Sequence, residues 1–223
     1  MTATLREQEN RRARNWPLLL GFVVLAACWL GPLPAMSRTA FSAHMLLHLG
    51  VVALAAPLLA IGLARSGLRV DSLRPVGVWT FLVFFAEMLV VWGWHAPLLH
   101  EAAAINVWAF VAQQASFLAV GVGVWSMGFA SQSRRGVAAA MFGFFLTFAH
   151  MTMLGVMLIM APKLIYPAEL CLGAFGFAQL DDQRFGGILM AAWSGVVYLG
   201  GAVALGARLL STAGGESDAR PSG

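Results

Sequence analysis

The sequence predicts an all-α fold, a polytopic membrane bundle of six transmembrane helices with both termini in the cytoplasm. The chain has 223 residues, of which 60% are hydrophobic and only 11% are charged. Soluble domains average about 45–50% apolar and about 25% charged residues, so a water-soluble enzyme is excluded. Six apolar stretches reach or approach the roughly 20 residues that a helix needs to cross a bilayer, and they are too long and continuous for barrel strands. These stretches are Trp16–Gly31, Ala40–Ala64, Val76–Trp94, Ala102–Ala130, Val137–Ala161 and Phe185–Leu210.

The distribution of charge predicts the orientation. All but three of the 14 Lys and Arg residues fall on one side of the alternating spans, and the exceptions are Arg38, Lys163 and Arg184. Because positive residues stay in the cytoplasm, we expect a cytoplasmic arm (1–15), a six-helix domain (16–210) and a flexible cytoplasmic tail (211–223) of a multi-pass inner-membrane protein. Alternatively, the first span is a cleaved signal peptide. The basic residues flank apolar spans, so we expect contact with lipid and none with nucleic acid.

Histidines are concentrated in or near the outer halves of the predicted spans. His44 and His48 are four residues apart, which places both rings on one helical face, about 6 Å apart along the axis. Two imidazoles placed in this way can chelate one metal ion; alternatively, they are polar residues hydrogen-bonded at a helix end. His95 lies in a tryptophan-rich segment at the outer surface and can join them, whereas His100 is expected to be exposed.

The fifth and third predicted spans carry further polar groups at membrane depth. His150 is followed by Met153, Met157 and Met160 within an arc of about 80°, and imidazole with thioether suits Cu(I). The alternative for the methionines is gap-filling in the core. An ionised Glu87 costs about 2.5–3.5 kcal/mol to insert, so we expect it to face His150; the alternative is a neutral acid bonded to a backbone carbonyl.

The longest outer connection, 162–184, ends in Asp181, Asp182 and Gln183. Aspartates at this position are typical of a helix N-cap, and the alternatives are docking of a partner or weak contact with a metal. Gly186 and Gly187 would let a neighbouring helix approach closely. Two cysteines are too few for a disulfide framework, so they form one disulfide or stay free thiols. No nucleophile elbow, phosphate loop or Cys-x-x-Cys motif is present, so we expect no enzymatic activity.

Several short motifs resemble those of a known family. They are Phe41–His48 with Ala56–Leu59, Trp94–Pro97, Leu154-Gly155, Tyr166-Pro167, and Asp182-Gln183 with Gly187 and Met190. In this order they resemble the polytopic CtaG-type cytochrome c oxidase assembly factors, and the similarity covers about Phe41 to Tyr198. The resemblance implies a role in maturing haem-copper oxidases around copper. It carries over His44, His48 and His95 as matched polar positions and Asp182 and Gln183 as a matched loop pair. The chain departs from the family at Gln113-Gln114, where Glu-His is expected.

From the residues and the resemblance together we expect a non-enzymatic assembly factor that presents Cu(I) near the extracytoplasmic surface. The expected ligands are His44 and His48, completed by His95 or His150. Glu87, Met153, Met157, Asp181, Asp182 and Gln183 are expected to support the site or a partner. The expected partners are oxidase subunits and a periplasmic copper donor. The alternatives are a membrane redox protein that binds haem through two histidines and a scaffold whose polar residues only bind the oxidase.

Overall fold

The computed structural model describes residues 2–73 and 75–218, with side chains described for 15–73 and 75–211. The described residues form helices and connections and no strand, which confirms the all-α prediction. The helices are α1 Thr2–Leu30, α2 Leu33–Met36, α3 Phe41–Gly50, α4 Ala56–Arg65, α5 Val76–His95, α6 Pro97–Ile105, α7 Val107–Ala130, α8 Arg134–Met160, α9 Gln179–Ser194 and α10 Gly200–Asp218. Single π-helical turns, Val51–Ala55 and Gly195–Leu199, join α3 to α4 and α9 to α10.

Five helical segments are long and apolar enough to cross a membrane, and Asn15–Leu30 is a shorter apolar helix. The six predicted spans each correspond to one of these segments. The predicted arm and tail have helical backbone from Thr2 and as far as Asp218. Arg74, residues 219–223 and the side chains of 1–14 and 212–218 lie outside what is described, so the predicted orientation stays a prediction.

Two predicted boundaries are wrong. The fourth span was expected to begin at Ala102, but the helix breaks at Asn106, whose side chain accepts hydrogen bonds from the amides of Trp108 and Ala109. This cap starts α7 at Val107 and leaves α6 as a separate short helix. The last span begins at Gln179, six residues before the expected Phe185. Apolar composition does not register a cap such as Asn106, and it excluded the first turn of α9 because that turn carries Asp181 and Asp182.

The span formed by α3 and α4 is the centre of the bundle, since 67% of its most apolar window is buried, against at most 44% for the other four. Helix α9 packs against α3 and α8, α5 packs against α7 and α8, and α4 packs against α1 and α7. Side chains on the inner face of α3 are therefore enclosed by protein on several sides.

Close approach of α8 and α9 depends on two glycines. A Cβ atom added to Gly155 would lie 2.6 Å from the carbonyl oxygen of Gly187, and one added to Gly187 would lie 2.7 Å from that of Gly155. A Cβ added to Gly186 would lie 2.5 Å from the ring of Phe41. The predicted role of Gly186 and Gly187 in helix approach is thus confirmed, and α9 is held close to both α8 and α3.

The connections meet at the two ends of the bundle. At one end, Asp71 accepts hydrogen bonds from the Gln132 amide at 2.6 Å and the Ser133 hydroxyl at 2.6 Å. Partial burial acts to raise the pKa of Asp71, but these hydrogen bonds and the charge of Arg208 lower it below its ordinary value. At the other end, the amide of Leu172 donates to the carbonyl of Thr39 at 2.7 Å. We call this second end the outer end, following the predicted orientation.

Candidate functional site

His44 and His48 lie on the inner face of α3 at the outer end. Both side chains are buried, and their rings are nearly parallel, with centroids 6.5 Å apart. The prediction that the two imidazoles share one face is confirmed. Because α3 is the most enclosed helix, this face points into the bundle, away from the surrounding membrane.

His95 is the last residue of α5, and it brings a third imidazole to the same place. Its ring centroid lies 5.4 Å from that of His44 and 5.3 Å from that of His48. The Nδ1 atom of His95 donates to the carbonyl oxygen of Val91 at 2.6 Å. A carbonyl can only accept, so this contact assigns the proton to Nδ1 and leaves the lone pair on Nε2.

His100, on the short helix α6, is a fourth member of this group, which we call the imidazole cluster. Its centroid lies 4.7 Å from that of His44, and its side chain is 3% exposed. The prediction that His100 is exposed is wrong. Helix α6 turns His100 and Ala103 inward, while Leu98 (78%) and Ile105 (67%) face outward.

Most ring nitrogens of the cluster lack a hydrogen-bond partner within the described part of the chain. The atoms concerned are Nε2 of His44, Nδ1 and Nε2 of His48, Nε2 of His95 and Nδ1 of His100. Buried polar atoms are usually paired, so several unpaired ones together require an explanation. Burial, with a smaller contribution from the charge of His95, lowers the pKa of His100 to about 3. A neutral imidazole of this kind offers a lone pair to a borderline or soft cation.

The spacing of the rings fits a shared ion, although the ring nitrogens do not converge on one point. As the rings stand, no three described His, Cys, Asp or Glu side chains form a group that could hold a metal ion. A metal–nitrogen bond of about 2 Å, as in zinc–imidazole sites, puts each ring centre about 3.2 Å from the ion, so three evenly spaced rings have centres about 5.5 Å apart. The separations of 5.3, 5.4 and 6.5 Å among His95, His44 and His48 are close to this value. Rotation of the rings about their side-chain bonds is the change that such a site requires.

Asp182 positions the start of α3 from another helix. One carboxylate oxygen accepts from the amides of Phe41 at 2.7 Å and Ser42 at 3.2 Å, and the other accepts from the Ser42 hydroxyl and the Ala174 amide. The sequence predicted a cap on the helix that contains Asp182, but this carboxylate caps α3. Asp182 therefore fixes the helix that carries His44 and His48.

The two neighbours of Asp182 have different surroundings. Gln183 is buried, and its Oε1 accepts from the Ile165 amide at 2.8 Å while its Nε2 donates to the Leu158 carbonyl at 3.5 Å. Asp181 is exposed and lies 3.8 Å from Arg184 on the same helix. Gln183 holds the long outer connection against α8, whereas Asp181 makes only an exposed ion pair.

His150 and Glu87 form a separate buried pair deeper in the bundle. Nε2 of His150 lies 2.9 Å from Oε2 of Glu87, and the hydroxyl of Thr147 donates to the same oxygen at 3.1 Å. The prediction that Glu87 faces His150 is confirmed. His150 makes no ring contact with the imidazole cluster in the residues described, and its Nδ1 has no hydrogen-bond partner among them.

Comparison with known proteins identifies the chain. The model of the cytochrome c oxidase caa3 assembly factor family matches residues 1–212, nearly the whole chain and every histidine in it. This chain belongs to that family. No curated protein and no solved structure matches it. The resemblance found in the short motifs is thereby confirmed.

The methionines that follow His150 in this caa3 assembly factor lie outside its imidazole cluster. Met153 and Met157 are each 51% exposed. The structure therefore places these methionines neither in the core, which was the alternative prediction, nor among the buried rings of the imidazole cluster. Their part in copper handling stays a prediction. Cys28 and Cys171 are both buried free thiols.

Sequence reasoning missed two members of the site in this assembly factor, His100 and Gln113. Gln113 is buried on α7, and it lines a small cavity of about 10 Å³ together with His44 and His100. That cavity is far too small for a porphyrin, so the region beside the cluster adds no support to the haem alternative. One signal in the sequence was available for His100. It closely follows Pro97, which starts a short helix, and this indicates that His100 lies in a structured segment.

Proposed function

We propose that this caa3 assembly factor supports oxidase maturation by holding Cu(I) in the imidazole cluster, with His44, His48 and His95 as ligands. Membership of the family supplies the link to cytochrome c oxidase assembly. The observation that carries the copper proposal is the convergence of buried imidazoles whose ring nitrogens have no hydrogen-bond partner among the described residues. Copper is the cargo here and has to leave the site again.

The chemistry of the donor set favours copper over harder cations. Imidazole nitrogen binds copper, zinc and similar ions, whereas magnesium and calcium prefer oxygen donors. Three neutral imidazoles carry no charge, so Cu(I) brought into the cluster retains its single positive charge. A site without carboxylate or thiolate ligands holds the ion less firmly than one with anionic ligands, which suits a protein that must release it.

The surroundings of the cluster support a holding role without catalysis. Phe41 stacks on Tyr166 at 4.9 Å, and Phe117 lies against His48 with centroids 4.2 Å apart. These aromatic rings exclude water from bound copper and so protect Cu(I) from oxidation. We place His150 outside the ligand set because its Nε2 already has Glu87 as its partner.

The location and partners follow from the same proposal. The chain has several membrane-spanning helices, and we place it in the inner membrane with the cluster toward the periplasm. Copper then arrives from a periplasmic donor and leaves to an oxidase subunit embedded in the same lipid bilayer. The hydrophobic surface of the bundle provides the contact with both lipid and subunit.

Competition for Cu(I) tests the copper proposal directly. We expect the purified protein to withdraw copper from the coloured Cu(I)–bicinchoninate complex, and the double variant His44→Leu/His48→Leu to withdraw at least tenfold less. Met45→Leu is the matched control, since Met45 is equally buried on the same helix and has no ring nitrogen. Copper uptake that is unchanged in the double variant would show that the ligands are wrong. If a strain that lacks the gene makes an oxidase with normal copper content, oxidase assembly does not need copper from this protein, and the proposal is contradicted.

A further inference from the structure

The position of His100 separates it from the other rings of the imidazole cluster. His44, His48 and His95 lie on the two long helices α3 and α5, whereas His100 lies on α6, a nine-residue helix bounded by Ala96 and Asn106. The outward residues of this helix, Leu98 and Ile105, are exposed, while His100 is buried beneath them. The ring of His100 therefore stands between the outer surface and the remaining imidazoles.

His100 contacts the rings of Tyr166 and Phe41, and among the histidine rings described it contacts that of His44. Its centroid is 4.7 Å from that of His44, the shortest separation between any two histidine rings described, and the planes are nearly perpendicular at 84°. His44 is in turn 5.4 Å from His95, and His95 is 5.3 Å from His48. Successive rings thus follow one another from the outer helix toward the centre of the bundle.

A small polar cavity lies beside the first two rings. It has a volume of about 10 Å³ and is lined by Ser37, His44, His100 and Gln113 with the small residues Ala103 and Ala104. A space of this size holds about one water molecule or one ion. Ser37 lies next to α2 in an outer connection, so the cavity lies between that connection and the cluster.

From these observations we propose that His100 is the first ligand that Cu(I) meets, and that it passes the ion to His44 through the cavity beside Gln113. This inference rests on the proposed function, because it requires the cluster to bind copper. His100 acts in transit, and the resting ligands stay His44, His48 and His95.

The transfer is a ligand exchange that conserves charge and electrons. The His100 nitrogen forms a bond to Cu(I) as one bond from the donor's ligand to the ion breaks, and His44 then displaces the remaining donor ligand. The bond between His100 and the ion breaks as nitrogens of His48 and His95 bind it. Copper stays in the +1 state throughout, and the donor leaves with its own ligand atoms.

Kinetics distinguish a transit ligand from a holding ligand. By microscopic reversibility, a residue that acts only in transit changes the rates of loading and unloading by the same factor and leaves the dissociation constant unchanged. A holding ligand changes the dissociation constant itself. The two roles therefore predict different results for the same substitution.

The experiment is stopped-flow transfer of Cu(I) from bicinchoninate to the full-length protein in detergent, followed by loss of the chelator's colour. We expect His100→Leu to slow loading at least tenfold with the equilibrium copper affinity within twofold of wild type. Ala104→Leu fills the cavity without altering a ring, so it should slow loading in the same way. Ala102→Leu is the matched control, because Ala102 lies on the same helix and does not line the cavity.

Each result has a defined meaning. Loading of both variants at the wild-type rate would overturn the transit role and leave the proposed function intact. A parallel loss of affinity in His100→Leu, with Ala104→Leu unaffected, would make His100 an ordinary holding ligand and also overturn the inference. Failure of the wild-type protein to take up copper would instead contradict the proposed function, and the transit role with it.

Discussion

The carboxylate of Asp182 accepts a hydrogen bond of 2.7 Å from the backbone amide of Phe41, a residue 141 positions earlier in the chain. This contact joins the first turn of α9 to the first turn of α3. Because His44 follows Phe41 by about one helical turn, the position of the imidazole cluster depends on a helix far along the sequence. A residue outside the cluster thereby controls its geometry.

Replacing Asp182 with alanine should destabilise the fold and weaken copper binding. The substitution removes the acceptor for the amides of Phe41, Ser42 and Ala174, and loss of a helix cap costs about 0.5–2 kcal/mol. We expect a lower midpoint of thermal unfolding in detergent and reduced competition for Cu(I). Asp181→Ala is the control, since Asp181 is exposed; equal effects of the two substitutions would contradict the capping role.

The pair of Glu87 and His150 should show strong energetic coupling. Removing one partner leaves the other buried without its counterpart, which costs about 3–5 kcal/mol, whereas replacing both by apolar residues is often close to neutral. We therefore expect Glu87→Leu and His150→Leu each to lower the free energy of unfolding more than the double variant does. Chemical denaturation in detergent, analysed as a double-mutant cycle, measures this coupling. Additive effects would show that the 2.9 Å contact contributes nothing.

Stability should fall as the pH falls below the ordinary pKa of histidine. Burial lowers the pKa of His100 from 6.5 to about 3, so between these values the unfolded chain binds a proton that the folded chain does not. Acidification in this window therefore favours unfolding, and the contribution of His100 between pH 7.5 and 5.5 is about 1.4 kcal/mol. Unfolding midpoints at the two pH values should differ less in His100→Leu than in the wild type. The same pH dependence in both proteins would mean that other groups cause it.

Gly187→Ala should disturb the contact between α8 and α9. The added Cβ would lie 2.7 Å from the carbonyl oxygen of Gly155, and overpacking of this kind typically costs about 1–3 kcal/mol. Gly200→Ala is the matched control, because a Cβ at Gly200 meets nothing within 4 Å. Thermal unfolding should separate the two variants, and equal midpoints would indicate that the helices can move apart without cost.

Much of the architecture was predictable from local sequence properties. A helix that crosses lipid must satisfy its backbone internally and present about 20 apolar residues, so spans are visible as long apolar stretches. The common face of His44 and His48 was predictable because it depends only on helical periodicity. The pairing of Glu87 with His150 was predicted correctly, because burying either polar side chain at membrane depth without a partner costs free energy.

Other features could not be read from local patterns. The burial of His100 depends on the way α6 folds back over the bundle, and its own neighbours Leu98 and Leu99 are exposed. At Asn106 the helix ends within an apolar stretch, and the side chain of Asn106 caps the next helix. Hydropathy averages over such a stretch and does not detect a single polar residue that ends one helix and starts another.

The sequence alone therefore determined that this chain is a helical membrane bundle with two histidines on one helical face, because these properties follow from composition and periodicity within one segment. The oxidase assembly family was visible only through the resemblance of its short motifs. Only the tertiary structure decided that four imidazoles meet at one end, that His100 is buried, and that Asp182 caps α3. These features depend on contacts between residues far apart in the chain, such as Asp182 and Phe41, which are 141 positions apart, and such contacts exist only once the helices are packed.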